Sequence, residues 1–327
     1  MDGFVQRETR LTTNTQTNLN PMNFLKLIRF QNLALLALMQ LIFRYGFLVP
    51  QRIPLALTDF QYVLLVLSTV LIAAAGYTIN NIFDQETDLI NKPQNVIVGK
   101  SISENKAYNI YFALNITGVL LGFYLSNTID KPKFAGIFVL IAAVLYMYAT
   151  TLKQIAVIGN LIVAVVLAAS VLIVGVFDLL PTTNMYNQDI IKSFFNVFID
   201  FAVLAFMLNF LREIIKDIED YEGDFKEGIQ TLPVLIGVSK TAKIAFAVAC
   251  VPFISLLIYT NNYFANQKLW WTCLYALLFI LTPLLFTIVK LWSAKAKEDF
   301  SRLSTILKYI VFFGIFGILV LTLNTLL

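Results

Sequence analysis

Two groups of oxygen-bearing side chains have the types and spacing for metal chemistry. The first group, directly after an apolar run, consists of Asn80, Asp84 and Asp88. The second group, also after an apolar run, consists of Asp217, Asp220 and Asp224. Residues three, four, seven or eight positions apart fall on one face of a helix, so each group would present a column of oxygen ligands. The two columns together predict a divalent-metal site for a phosphorylated ligand.

Mg²⁺ is the cation that this ligand set favours. It takes one or two carboxylates and fills its octahedron with water and substrate phosphates, so a sparse carboxylate site implies a substrate with its own oxygen ligands. Arg212 and Lys216 alternate with the acids of the second group and would donate to phosphate oxygens. We expect all six residues of the two groups to be metal ligands.

The composition places these groups in an integral membrane protein. The chain has 327 residues, 58% of them hydrophobic, and its mean hydropathy of +0.76 is well above that of soluble domains. Apolar runs long enough to cross a bilayer lie at roughly 33–50, 60–82, 108–126, 133–150, 155–178, 194–213, 241–260, 269–290 and 305–327. They lack the alternating pattern of a β-barrel. The sequence therefore predicts an all-α polytopic protein with nine transmembrane helices.

The distribution of Lys and Arg predicts the orientation. We expect one transmembrane domain over 21–327, after a disordered polar tail at 1–20 that lacks the cleavage site of a signal peptide. With nine spans, one side receives only Arg44, Arg52, Lys131, Lys133, Lys192 and Lys268, and all other basic residues lie on the opposite side. The positive-inside rule predicts insertion in the cytoplasmic membrane, with the N-terminus and both acidic groups cytoplasmic and the C-terminus outside.

Several other function classes are disfavoured. The net charge of +4 is usual for a membrane protein of this orientation, and no basic block with interleaved aromatics suggests a nucleic-acid partner. The two cysteines are isolated, and the chain has no His, the commonest general base and zinc ligand. A cation-coupled transporter remains an alternative, but it would place ionisable residues deep in the spans, whose middles here are nearly free of charge. No segment indicates an obligate protein partner.

The paired motifs resemble those of the UbiA superfamily of intramembrane prenyltransferases. The resemblance rests on Asn80-x-x-x-Asp84-x-x-x-Asp88, on Asp220-x-x-x-Asp224 and on the following Lys226-Glu227-Gly228-Ile229, and it extends from about Phe24 onward. The digeranylgeranylglyceryl phosphate synthase branch is the most similar, through the segments 27–32, 152–153, 159–160 and 212–220. This resemblance implies nine helices around a central cavity with cytosolic cap regions. It also implies Mg²⁺-dependent transfer of a polyprenyl group from its diphosphate to a lipid-soluble acceptor.

The resemblance also implies roles for individual residues. One Mg²⁺ would lie in each motif, and both ions would bridge the diphosphate. The expected catalytic residues are Asp84, Asp88, Asp220, Asp224 and Lys153, and the expected substrate contacts are Arg29, Asn32, Tyr148, Arg212 and Lys216. Metal and basic side chains would stabilise the departing diphosphate, while an apolar cavity would hold the isoprenoid and exclude water. The ring of Tyr148 would face the developing allylic cation.

The acceptor remains open between two chemical classes. Geranylgeranylglyceryl phosphate is expected from the branch resemblance, and an aromatic acid such as 4-hydroxybenzoate or a naphthoate is the alternative, because either anion would use the same cations. One departure bears on this choice: Asn95 stands where many family members have an Arg, and an anion contact is lost there. An inactive scaffold of the same fold is disfavoured because all motif acids are present.

Overall fold

The chain folds into a bundle of long apolar helices. The structure is a computed structural model that describes residues 20–326, so the tail expected at 1–20 lies outside the described residues except for Asn20. Within them, nine helices are long and apolar enough to cross a membrane: α1 (Phe30–Gln51), α2 (Asp59–Phe83), α3 (Glu104–Thr128), α4 (Pro132–Thr150), α5 (Ile158–Thr182), α6 (Gln188–Glu219), α7 (Val238–Ala265), α8 (Trp270–Ser293) and α9 (Lys297–Leu326). No β-strand occurs between 20 and 326. The all-α prediction with nine spans is confirmed.

Four short helices lie outside the spans. They are Pro21–Leu27, Gln85–Asn91, Tyr221–Lys226 and Leu232–Ile236. Two of them, Gln85–Asn91 and Tyr221–Lys226, follow α2 and α6 directly, and we call these the first and second motif helices. Each is separated from the preceding span by a single residue, Asp84 or Asp220. The end of each span is therefore an aspartate at a bend.

The spans pack into one connected bundle. Helix α2 packs against α3 and α4, α5 against α6, and α6 against α7 and α9, while α1 contacts α2, α5 and α9. Close packing of α2 on α3 requires a small residue, because a Cβ at Gly118 would lie 2.7 Å from Ile72 Cγ1. There Ser68 Oγ donates to the Gly118 carbonyl across 2.7 Å, an interhelical hydrogen bond of the kind that stabilises membrane bundles.

A buried ion pair ties the helices together at the end far from the motif helices. The guanidinium of Arg44 donates to both carboxylate oxygens of Asp178 at 2.7 Å and to the Leu57 carbonyl at 2.7 Å. Both side chains are almost completely inaccessible, at 4% for Arg44 and 0% for Asp178. The Tyr62 ring lies 4.5 Å from the guanidinium carbon. This pair joins α1, α5 and the segment before α2 at one point.

Candidate active site

The two acidic groups lie at the same end of the bundle, each at a bend between helices. Helix α2 ends at Phe83, and Asp84, with φ −95° and ψ 4°, begins the turn into the first motif helix. The uninterrupted helix expected from Asn80 to Asp88 is therefore wrong, because the helix stops at Asp84, a residue type that competes poorly for helix interiors. Asp220 occupies the matching position after α6, with φ −94° and ψ 5°.

The two motif helices are held against each other by one amide side chain. Asn91 Nδ2 donates to the Asp220 carbonyl at 3.0 Å, and the Gly223 amide donates to Asn91 Oδ1 at 2.9 Å. The next residue is Lys92, whose Nζ lies 2.7 Å from Asp220 Oδ1 and 3.8 Å from Glu219 Oε1. The first acidic segment is thus docked on the second by two consecutive side chains.

Both carboxylate oxygens of Asp84 accept a hydrogen bond. Asn80 Nδ2 donates to one oxygen, and Lys153 Nζ donates to the other. Lys153 lies in the short turn Leu152–Gln154 between α4 and α5. Gly159 at the start of α5 allows this turn to approach, because a Cβ there would lie 3.0 Å from Lys153 Cα. The backbone bridge between Ile155 and Gln230 fixes the same loop beside the second motif.

Asp217 and Asp224 are held by neutral donors. Asn160 Nδ2 donates to Asp217 Oδ2 at 2.7 Å, and Thr231 Oγ1 donates to Asp224 Oδ2 at 3.2 Å. Neither of these carboxylates forms a direct ion pair in the described part of the chain. A hydrogen-bonded but unneutralised carboxylate remains available to a cation.

The charges of the two groups act on one another. Burial, followed by the charge of Asp220 and by that of Asp84, raises the pKa of Asp224 to about 7. Burial, followed by the charge of Asp84, also raises the pKa of Asp88. Burial works to lower the pKa of Lys92, but the carboxylates of Asp220 and Glu219 outweigh it and the pKa is raised. Such crowding of carboxylates favours the binding of a divalent cation.

The donors present fit a hard divalent cation. All six predicted ligands offer carboxylate or amide oxygen, and Asn80 Oδ1 is buried without a hydrogen-bond donor. Between residues 20 and 326, however, no three acidic side chains already converge on one point. Lys153 and Lys92 pair with Asp84 and Asp220 instead. The identity of the ligands therefore stays a prediction, with the two groups placed side by side as it requires.

An apolar cavity of about 160 Å³ opens between α1, α2, α5, α6 and α9. Its wall includes Leu36, Met39, Phe43, Val171, Phe201 and Ile315, and its polar lining consists of Asn32, Tyr77, Ser170, Asn209, Arg212 and Lys308. Tyr77 lies one helical turn before Asn80, and Arg212 lies two turns before Asp220, so polar lining residues lead toward the acidic groups. The cavity has the apolar character that an isoprenoid chain requires.

The other expected substrate contacts surround the same region. The Arg29 guanidinium carbon lies 5.3 Å from the Tyr77 ring centre, and its charge acts on Asp88. Lys216 Nζ donates to Glu213 at 2.9 and 3.1 Å, which makes it a bound rather than a free cation. Tyr148 lies half-buried in the last turn of α4. Asn95 is exposed.

Sequence reasoning assigned no role to several residues of this site. Among them are Asn91, Lys92, Asn160 and Lys308. Lys92 continues the four-residue spacing of the first motif, and Asn160 belongs to the segment 159–160 that carries the family resemblance, so both carried a signal. Lys308, inside the apolar run of α9, carried the signal that any intramembrane charge carries.

Comparisons with known proteins agree on one family. The family model described as "UbiA prenyltransferase family" matches residues 43–317. The digeranylgeranylglyceryl phosphate synthase of Saccharolobus solfataricus is 33% identical over 298 residues, which cover 91% of this chain and 95% of the relative. The enzyme of that name from Methanosphaera stadtmanae is 30% identical over 254 residues, which cover 76% of this chain and 84% of the relative.

Solved structures have the same fold. One described as digeranylgeranylglyceryl phosphate synthase in membranes matches with a TM-score of 0.62 and 26% identity, covering 91% of this chain and 97% of that one. A UbiA homologue from Archaeoglobus fulgidus bound to GPP and Mg²⁺ matches with a TM-score of 0.55 and 16% identity, covering 90% of this chain and 99% of that one. The latter likeness establishes the fold alone.

Proposed function

Because the chain belongs to the UbiA prenyltransferase family and is an integral membrane enzyme that transfers prenyl groups, we propose that it transfers a geranylgeranyl group from its diphosphate to geranylgeranylglyceryl phosphate. The observation that carries the proposal is the docking of the two acidic segments through Asn91, next to a membrane-embedded apolar cavity. The acceptor is proposed from the relatives that are named for this activity.

Mg²⁺ would be held by the two acidic groups. Asn80, Asp84 and Asp88 would hold one ion, and Asp217, Asp220 and Asp224 would hold a second. When bound, the ions neutralise the diphosphate and make it a better leaving group. Support comes from the all-oxygen donor set, from the crowded carboxylates and from the UbiA homologue described as bound to Mg²⁺.

The chain's own residues supply positioning and charge. Lys153 and Lys92 lie against the motif carboxylates, so they are placed to donate to diphosphate oxygens when those carboxylates take another cation. The C1–O bond of the donor breaks with its electron pair on the diphosphate, and the acceptor hydroxyl oxygen bonds to C1. A diphosphate oxygen takes the hydroxyl proton. The apolar cavity wall and the ring of Tyr148 exclude water and stabilise positive charge at C1.

The site is proposed to face the cytoplasm. Most of the Lys and Arg residues of the chain lie in the loops or helix ends on the side that carries both motif helices, which is the asymmetry expected of a cytoplasmic side. With nine spans, the C-terminus then lies outside the cytoplasmic membrane. The donor and acceptor head groups would enter from the cytoplasmic side, and their chains would lie within the bilayer.

Prenyl transfer by the purified protein tests this function. Radiolabelled geranylgeranyl diphosphate is supplied with and without Mg²⁺, with geranylgeranylglyceryl phosphate or 4-hydroxybenzoate in parallel reactions. We expect metal-dependent product with the glyceryl phosphate, and none in Asp84→Ala or Asp220→Ala. Product with 4-hydroxybenzoate alone would replace the proposed acceptor by an aromatic acid. Failure to bind the donor at all would overturn the prenyl-transfer proposal.

A further inference from the structure

Lys308 is a cation that lines the apolar cavity and has no anionic partner among residues 20–326. It lies eleven residues after the start of α9, which corresponds to roughly 16 Å along the helix. Its side chain is half-buried and lines the apolar cavity. In the part of the chain from 20 to 326, it makes neither a hydrogen bond nor an ion pair.

Arg212 lines the same cavity as Lys308 and is only weakly paired. Its Nε donates to the Ser304 carbonyl at 3.4 Å, and Ser304 stands one turn before Lys308 on the same face of α9. Its Nη1 lies 3.4 Å from Glu213, whose carboxylate is bound more closely by Lys216, at 2.9 and 3.1 Å. The Glu213 carboxylate thus contacts both Arg212 and Lys216. Among residues 20–326, no carboxylate forms an ion pair with Lys308. The polar part of the cavity carries excess positive charge.

This excess charge has a free-energy cost beside an apolar cavity unless an anion is present. An unpaired cation in an apolar cavity is unfavourable, and intramembrane ionisable residues therefore mark binding sites as a rule. Two cations on neighbouring helices match a phosphate monoester, because a guanidinium offers a fork and an ammonium offers a mobile point charge. The donor diphosphate has other partners, since Arg212 lies about 12 Å along α6 from Asp220.

We propose that Arg212 and Lys308 bind the phosphate monoester of the lipid acceptor, and that Lys308 is the residue that selects a phosphorylated acceptor. This inference rests on the proposed function and adds to it a specificity residue from the last helix. The acceptor chain then lies along the apolar wall, with its phosphate at the two cations. Its hydroxyl, a few bonds away, points toward the acidic groups.

Lipid binding without donor tests the inference separately from catalysis. The full chain, purified in detergent, is titrated calorimetrically with geranylgeranylglyceryl phosphate and with uncharged geranylgeranylglycerol. We expect the wild type to bind the phosphorylated lipid more tightly. Lys308→Met should weaken that binding by about tenfold or more, as expected for a charged hydrogen bond, and leave the uncharged lipid unaffected. Lys308→Arg should retain most of the preference.

The matched control is Lys297→Met, which removes a lysine from the first turn of the same helix and outside the cavity lining. We expect wild-type binding of both lipids. Thermal unfolding in detergent checks that each variant is folded. Equal binding of the two lipids by the wild type, or equal weakening of both by Lys308→Met, would overturn the inference.

Kinetics separate this inference from the proposed function. With the glyceryl phosphate acceptor, Lys308→Met should raise the KM for the acceptor and leave the KM for the donor unchanged. A raised donor KM instead would assign the pair to the diphosphate and overturn the inference. If the wild type makes no product with this acceptor, the proposed function fails, and the calorimetric preference for the phosphorylated lipid still decides the role of Lys308.

Discussion

Asn91 contacts Gly223 so closely that the two acidic segments meet only because residue 223 has no side chain. The Gly223 amide donates to Asn91 Oδ1 at 2.9 Å, and a Cβ at position 223 would lie 2.5 Å from Asn91 Cγ. This contact joins the segment after α2 to the segment after α6. The relative position of the two acidic groups therefore depends on this contact together with the ion pair between Lys92 and Asp220.

Gly223→Ala should separate the two motif helices. The added methyl group displaces the Asn91 side chain, which removes its hydrogen bonds to the Asp220 carbonyl and from the Gly223 amide. We expect prenyl transfer to fall by about tenfold or more, as for loss of a group that positions ligands. Asn91→Ala should have a similar effect. Gly136→Ala, where a Cβ meets nothing within 4 Å, is the control and should retain wild-type activity.

Asp84→Asn should weaken the response to Mg²⁺. The substitution removes the negative charge that Lys153 pairs with and that a divalent cation requires. We expect prenyl transfer to fall by about 100-fold or more, and the Mg²⁺ concentration for half-maximal activity to rise. Glu86→Gln is a matched control, because Glu86 lies two residues away but is exposed.

Chelation by EDTA should abolish wild-type activity, and added Mg²⁺ should restore it. Equal activity of both variants would remove Asp84 from the site.

Gly314→Leu should fill the apolar cavity and discriminate against long donors. Gly314 lines the cavity, and a Cβ there meets no atom within 4 Å, so the larger side chain enters the cavity without a clash. We expect transfer from geranylgeranyl diphosphate to fall by about tenfold, and transfer from dimethylallyl diphosphate to change less. Gly136→Leu, at the exposed and equally open position in α4, is the control. Equal losses with both donors would show that the isoprenoid lies elsewhere.

Arg44→Met should destabilise the fold without changing acceptor choice. It leaves the Asp178 carboxylate buried without its partner, a change that costs about 3–5 kcal/mol of unfolding free energy. Asp59→Asn is the matched control: Asp59 contacts the same guanidinium at 3.4 Å, but its side chain is 79% exposed, so we expect a loss below about 1 kcal/mol. Denaturation of the purified protein in mixed micelles measures both. If Arg44→Met lowers the free energy of unfolding no more than Asp59→Asn does, Asp178 does not need its buried partner in the fold.

The sequence predicted the elements and the acidic groups because both leave local patterns. Nine apolar runs gave nine spans, and the four-residue spacing of Asn80 and Asp84 identified the first group. The pairing of Lys92 with Asp220 left no such pattern, because 128 positions separate the two residues. Only the packing of the motif helices brings them together.

The role of Lys308 could not be predicted from the sequence for a related reason. Helix α9 is apolar on most of its circumference beyond its first turns, so its sequence does not indicate which face contacts the cavity. The continuous helix expected across the first motif failed at Asp84, where periodicity alone gives no sign of a bend. Spacing thus predicted the acidic groups, and tertiary packing determined how they face one another.

The link made by Asn91 also determines when the site can exist during synthesis. Its two hydrogen bonds reach residues 129 and 132 positions further along the chain. A ribosome delivers spans to the membrane in order, so the first acidic segment is inserted long before its counterpart. Until the sixth span and its following segment emerge, the nascent chain carries half a metal site and no docking partner for it. Truncated chains that end before that point would therefore be inert toward prenyl diphosphates in the surrounding membrane.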